Sequence, residues 1–236
     1  MSELLYVDVS KHQKTIDYVK MSKCIDGVII RCGYTGWGTS RSKQKDDLFE
    51  KHYKGFSEQN VPIGVYWYSC AISEAEAIKE AELTLEYIKG KNISLPVWYD
   101  TEDDHNQIKL SKQALSKVAL AYCKTIEKAG YYVGIYSYTS WFNNQLDVSM
   151  LKDYDKWVAH YGVSKPNYSG SYGMWQYTSS GRVDGCNSDI DMNKVYKDYA
   201  KIIKDNKLNN QGSLSTEQEL EKYKAMINKI KEVINA

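Results

Sequence analysis

The spacing of apolar positions along the chain switches repeatedly between two periods. Runs rich in β-branched and aromatic residues at Leu4 to Val9, Gly27 to Cys32, Ile63 to Tyr68, Leu95 to Asp100, Tyr132 to Ser137, Trp157 to Tyr161 and Met174 to Thr178 read as strands. Between them, helical spacing covers about 45–59, 73–90 and 111–129, with shorter pieces near 15–22 and 148–154. In the second helix Ser73 and Glu76 form a capping box ahead of Ala77, Ala81, Leu85 and Ile88; in the third, Leu115, Val118, Ala119, Tyr122 and Ile126 share a face and Gly130 is the stop. Near-continuous apolar strands alternating with helices describe a parallel α/β arrangement covered on its outer face. No strand is followed by GxGxxG or GxxxxGK[ST], so the pattern favours a TIM-like β/α barrel over a doubly wound, phosphate-binding sheet. In such a barrel, catalytic groups are expected at the C-terminal ends of the strands.

The pattern changes after Lys204. Residues 205–215 (DNKLNNQGSLS) read as a polar linker, and 216–236 as an amphipathic helix opened by the capping box Thr216 to Glu219. Its apolar seam, Leu220, Tyr223, Ile227, Ile230 and Ile234, needs a partner: the barrel, a second copy, or a further module. Self-association is favoured slightly, because the linker gives the helix reach away from the barrel. The expected organisation is a barrel over 1–204, the linker and the helix.

Composition narrows the function. Thirty-one Lys+Arg against 30 Asp+Glu give a net charge of +1, which excludes the broad basic surface of a general nucleic-acid or anionic-membrane binder. No run of about 18 apolar residues is present to insert into a membrane. Five widely separated cysteines (Cys24, Cys32, Cys70, Cys123, Cys186) lie mostly in apolar segments and read as thiols, not as a disulfide framework or a zinc ribbon. The 21 Tyr and 6 Trp against 3 Phe favour rings with a polar handle, which suit a cleft that stacks on sugars.

Acids recur where the strands end: Asp8 in YVDVS, Asp100 and Glu102 in VWYDTE, and Asp189 and Asp191 in SDIDMN after the last expected strand. In an extended strand, side chains at i and i+2 share a face roughly 6.5–7 Å apart, so Asp100 and Glu102 can both face a barrel mouth. Two carboxyls that close do not both ionise freely, and the one that keeps its proton becomes an acid at neutral pH. Glycoside hydrolysis uses such a pair; the plainer alternative is that strand-end acids cap the next helix.

Taken together, Y-V-D8-V-S-x-H-Q13, G27-V-I-I-R31-x-G-Y34, I63-G-V-Y66-W-Y68-S, P96-V-W-Y-D100-x-E102, G130-Y-x-V-G-I-Y136-S, W157-V-A-x-Y161, W175-Q176-Y-T178 and D189-I-D191-M-N193 resemble the family 25 glycoside hydrolases, the Chalaropsis-type lysozymes. The resemblance runs in order from about residue 5 to 195. It implies a flattened, irregular barrel with an acidic groove, no cofactor or metal, and peptidoglycan glycan strands as substrate, cut at the β-1,4 bond after N-acetylmuramic acid. By matching motif, Glu102 resembles the general acid and Asp100 the residue that steers the 2-acetamido group or a water. Asp8 and Asp191 resemble the acids that hold and tune them. Tyr66, Tyr68, Trp98, Tyr136, Trp175 and Gln176 match positions lining the cleft. The last motif departs from the family, with Cys186-Asn-Ser in place of a Gly-rich lead, and no wall-binding repeat follows it.

Two other functions compete. A metal hydrolase would draw on His12, His105 and His160, but no HExxH or paired-His spacing is present. A binding-only barrel would gain nothing from four crowded acids that repel one another. The N-terminus MSELLYVD has no basic segment followed by an apolar one, so synthesis in the cytoplasm of a host and action on the wall after release are expected, as for a phage endolysin. Twenty-eight Lys against 3 Arg suit an AT-rich genome of that kind.

Overall fold

A computed structural model describes residues 3–37 and 40–210, together with Lys224 and Ile227. Apart from those two residues, the tail helix expected over 216–236 lies outside the described residues.

Among the described residues nine strands form one sheet: β1 (Leu4–Val9), β2 (Gly27–Thr35), β3 (Lys43–Lys45), β4 (Ile63–Ser69), β5 (Val97–Thr101), β6 (Val133–Tyr138), β7 (Asp155–Ala159), β8 (Met174–Val183) and β9 (Cys186–Val195). Eight close into a barrel in the order β1-β9-β8-β7-β6-β5-β4-β2, with β1 paired to β2 and the short β3 hung on β2. The parallel part is as expected. The closing piece is not: β9 runs antiparallel to both β8 and β1, where no strand was expected.

Helices α1 (Tyr18–Met21), α2 (Phe49–Glu58), α3 (Glu74–Ile88), α4 (Lys112–Lys128), α5 (Thr139–Asn144) and α6 (Tyr199–Asp205) accompany the strands. The Ser73 side chain accepts from the Glu76 N–H and Ser111 from Ala114, so both long helices start where their caps dictate. Gly130, at φ +84°, ends α4 in a backbone conformation that side chains resist. Residues 148–154 form turns instead of the expected helix, while α5 and α6 arise where none was expected.

Alternation along the strands sorts side chains into two cores. Outward residues such as Val65, Trp67, Val97 and Tyr99 pack under the helices, whereas Tyr6, Ile29, Trp98, Trp157 and Tyr199 fill the barrel interior. Trp98 meets Trp157 at 5.6 Å and Tyr199 at 5.8 Å between ring centroids, and Gly134 makes room for it: a Cβ there would lie 2.2 Å from the Trp98 ring. α6 supplies Tyr199, whose hydroxyl donates to Asp155 at 2.8 Å at the start of β7. The end of the barrel holding the strand N-termini is thereby plugged, which leaves the other end for chemistry.

The packed unit continues past the boundary expected at 204. Asn209 is buried, accepts from the Tyr132 N–H at 2.6 Å and donates to the Leu95 carbonyl at 2.9 Å, so it satisfies backbone groups ahead of β5 and β6.

Candidate active site

At the C-terminal ends of the parallel strands a pocket of about 280 Å³ opens above the aromatic plug. The four expected acids, Asp8, Asp100, Glu102 and Asp191, line it together. Asp100 shares the inward face of β5 with Trp98, one layer above it, and Glu102 follows where the strand has just ended. Asp8 and Asp191 are direct partners across the antiparallel β1–β9 pair. Like charges placed opposite one another repel, so a shared proton relieves that pair.

Hydrogen bonds show how the pair is held. One Asp8 oxygen accepts from Gln176 Nε2 at 2.9 Å and from Asn193 Nδ2 at 2.8 Å. The Gln176 amide is fixed in that direction because its oxygen accepts from Tyr136 at 2.8 Å and from Tyr161 at 2.5 Å. Asn193 is fixed in turn by Trp157 Nε1, which donates to its oxygen at 2.7 Å. Burial raises the Asp8 carboxyl to about 6, and hydrogen bonds from Asn193, Gln176 and Asp191 pull against that rise. Asp191, half-buried, is pushed up to about 9 by desolvation, then by the negative charges of Asp8 and Glu102 and by a hydrogen bond with Asp8.

The other two acids are less satisfied. Burial, followed by the charge on Asp8, lifts Glu102 to about 7, with a hydrogen bond to Tyr136 opposing. Asp100 is held well above the ordinary carboxyl range by burial, then by Glu102 and Asp8, against the pull of Arg31. Asp100 Oδ1 and Glu102 Oε2 are buried and have no hydrogen-bond partner among the described residues. Both residues line the pocket, so a group that enters it meets carboxyls whose hydrogen-bonding capacity the surrounding protein has not used up.

Tyr66, Tyr68, Tyr136 and Gln176 line the pocket as expected. Trp98 and Trp175 do not, and the expectation for them is corrected. Trp98 is fully buried in the plug beneath the acids, separated from the pocket by Trp157. Trp175 has the opposite strand parity to Gln176, so it faces outward, donates to the His160 carbonyl at 2.8 Å and lies under the Lys194 ammonium. Arg31, Tyr138, Trp157, Tyr161 and Ser179 also line the pocket and were not singled out. Arg31 had a visible signal, a charge inside the apolar run GVIIRCG. His12, His105 and His160 do not converge on the acids: among the described residues only His105 of these joins a group of acids, Asp103 and Asp104 on the rim, where Asp103 is already occupied by the N–H groups of His105, Asn106 and Gln107.

The family model for glycosyl hydrolases family 25 matches residues 7–186, a span that contains Asp8, Asp100 and Glu102. The chain belongs to glycosyl hydrolase family 25. Within that family it is 26% identical over 189 residues to an autolytic lysozyme of Clostridium acetobutylicum, a match covering 80% of this chain and 54% of that protein. The modular autolysin LytC of Streptococcus pneumoniae superposes with a TM-score of 0.70 at 31% identity, covering 83% of this chain and 47% of LytC. The chain thus spans about half the length of these two relatives. The catalytic domain of endolysin ply40, from bacteriophage P40 of Listeria monocytogenes, superposes with a TM-score of 0.67 at 25% identity, covering 85% of this chain and 97% of that domain. Asp191 lies beyond the matched span, and its place in this family 25 pocket rests on its pairing with Asp8.

Proposed function

We propose that this chain is a peptidoglycan hydrolase of the N-acetylmuramidase type, cutting the β-1,4 bond between N-acetylmuramic acid and N-acetylglucosamine. The observation that carries this reading is the contrast inside the acid cluster: Asp8 is tied to Gln176 and Asn193 and paired with Asp191 across the strands, while Glu102 and Asp100, which also line the pocket, each keep an oxygen without a hydrogen-bond partner among the described residues. Glu102, protonated up to about pH 7, gives its proton to the leaving glycosidic oxygen. Asp100 orients either the 2-acetamido group of the muramic acid, for attack at its own anomeric carbon, or a water. Asp8, with Asp191 holding its proton, is the fixed negative charge that keeps Glu102 protonated and stabilises the oxocarbenium-like charge. Tyr66, Tyr68 and Tyr136 bound the sugar ring.

Mass spectrometry of fragments released from purified cell walls tests this reading. Muramic acid at the new reducing ends is expected. Reducing-end glucosamine, freed stem peptides or no release would each contradict it.

The biological role within this proposal is host lysis by a phage of a low-GC Gram-positive bacterium, the enzyme being made in the host cytoplasm and reaching the wall after release. The likeness to a phage endolysin and the 28 Lys against 3 Arg support it. Expressed in a sensitive host, the chain should leave cells intact until the membrane is permeabilised. Lysis without permeabilisation would contradict that role.

A further inference from the structure

A second cavity of about 280 Å³ adjoins the catalytic pocket, sharing Arg31 and Tyr68 with it and adding Lys11, His12, Tyr34 and Trp37. Its chemistry is the reverse of its neighbour's. The Lys11 ammonium sits 4.3 Å from the centre of the Tyr34 ring and donates to the Tyr34 hydroxyl at 2.8 Å; its nearest carboxylate, the exposed Asp47, is 3.9 Å away. The Arg31 guanidinium lies 5.0 Å from the centre of the same ring. Arg31 is about nine-tenths buried and ion-pairs with Asp46 through Nε at 2.7 Å, while Nη2 has no hydrogen-bond partner among the described residues. His12 is held below its usual range by burial and then by the positive charges of Arg31 and Lys11, with Lys14 adding to them and Asp46 opposing. Two cations, one of them fixed, thus stand beside a groove whose four acids would repel an anion.

We propose that this cavity binds a carboxylate carried by the sugar that occupies the catalytic pocket, through Lys11 and Arg31, with Tyr34 and Trp37 packing on the substituent's aliphatic part. The inference rests on the muramidase reading and deepens it. In a strand of alternating N-acetylglucosamine and N-acetylmuramic acid, only the latter bears an acidic substituent at its 3-position, so a cation on one side of the cleft fixes which sugar sits over Glu102. The carboxylate has two sources: the lactyl group itself, where no peptide is attached, or the stem peptide.

Calorimetric titration of the full chain separates these sources and needs no cleavage. The probes are N-acetylmuramic acid (lactyl carboxylate free), muramyl dipeptide (lactyl group amidated, peptide carboxylate free) and neutral N-acetylglucosamine. At least one acidic probe should bind about tenfold more tightly than the neutral sugar, the contribution of one charge-assisted hydrogen bond. The acidic probe that gains identifies the source. Lys11→Gln should remove most of that gain, and added salt should weaken it in the parent. Equal binding of all three probes, or a gain that survives in both Lys11→Gln and Lys11→Gln/Arg31→Gln, would overturn the proposal. Because binding is read directly, a failure here is distinct from finding glucosamine at the reducing ends, which would defeat the muramidase reading alone.

Discussion

Two glutamates of this barrel are pushed to about 7, the buried Glu80 and the half-buried Glu102, and in both desolvation is the largest cause. Glu80, on α3, faces the outside of the sheet and is sealed there: Thr35 donates to one of its oxygens at 2.5 Å and Ser69 to the other at 2.6 Å. Glu102 stands at the mouth of the barrel with one oxygen buried and unpartnered. An elevated carboxyl therefore does not mark a catalytic group by itself. The difference lies in whether the surrounding protein has already used the oxygens, and whether a substrate can reach them.

The largest effect expected from this contrast is on rate. Glu102→Gln keeps the shape and loses the transferable proton, so wall hydrolysis should fall by about 10²-fold or more, with thermal stability unchanged or slightly raised as repulsion in the cluster is relieved. A folded Glu102→Gln protein with near-parent activity would remove Glu102 from the acid role. The pH profile of kcat sharpens the same point. With Glu102 at about 7 and Asp8 at about 6, the rate should be greatest between those values. It should fall about tenfold per pH unit on the alkaline side, where Glu102 loses its proton, and decline on the acid side as Asp8 takes one up. Full activity well above pH 8 would break the assignment.

For Glu80 the expected effect is on stability. Glu80→Ala leaves two buried hydroxyls without their acceptor and opens a cavity, a cost of roughly 2–4 kcal/mol, visible as a lowered Tm with kcat of the folded enzyme little changed. The sign of its pH dependence follows from its raised carboxyl. The folded state binds the Glu80 proton more tightly than the unfolded chain, so the associated stability is full below about 4.5 and is lost as pH rises to about 7. Glu80→Gln, neutral throughout, should show a shallower decline of Tm over that window. An unchanged slope would mean that Glu80 is not the group titrating there. The smallest effect belongs to the barrel's closed end, where Asn209→Ala removes two buried hydrogen bonds and should cost roughly 1–3 kcal/mol without altering KM. A changed KM would show that the two ends of the barrel are coupled.

The same contrast explains how much was legible in the sequence. The parallel strands were readable because their outward residues face helices and their inward ones form an aromatic plug, giving near-continuous apolar runs such as Ile63 to Tyr68. β9 was not readable because its inward positions, Asp191 and Asn193, hold the site's polar groups instead of apolar filler. The period that signals a strand was therefore inverted there, with Ile190 and Met192 on the other face. That the four acids meet in one pocket was legible because their positions relative to strand ends carried the signal. Trp98 and Trp175 were misplaced because a motif gives residue type without depth or side: Trp98 has the right parity but lies one layer too deep, and Trp175 has the wrong parity. The tuning of Asp8 depends on Asn193, some 185 residues away, and contacts of that range leave no local pattern.

The most direct test of the contrast is carbon-13 NMR titration of labelled glutamate carboxyls, with Glu80→Gln and Glu102→Gln used to assign the two raised signals. Both should titrate near 7, and addition of the N-acetylglucosamine–N-acetylmuramic acid disaccharide should shift Glu102 while leaving Glu80 unmoved. A Glu102 carboxyl that titrates near 4.5, or one as indifferent to the sugar as Glu80, would contradict it.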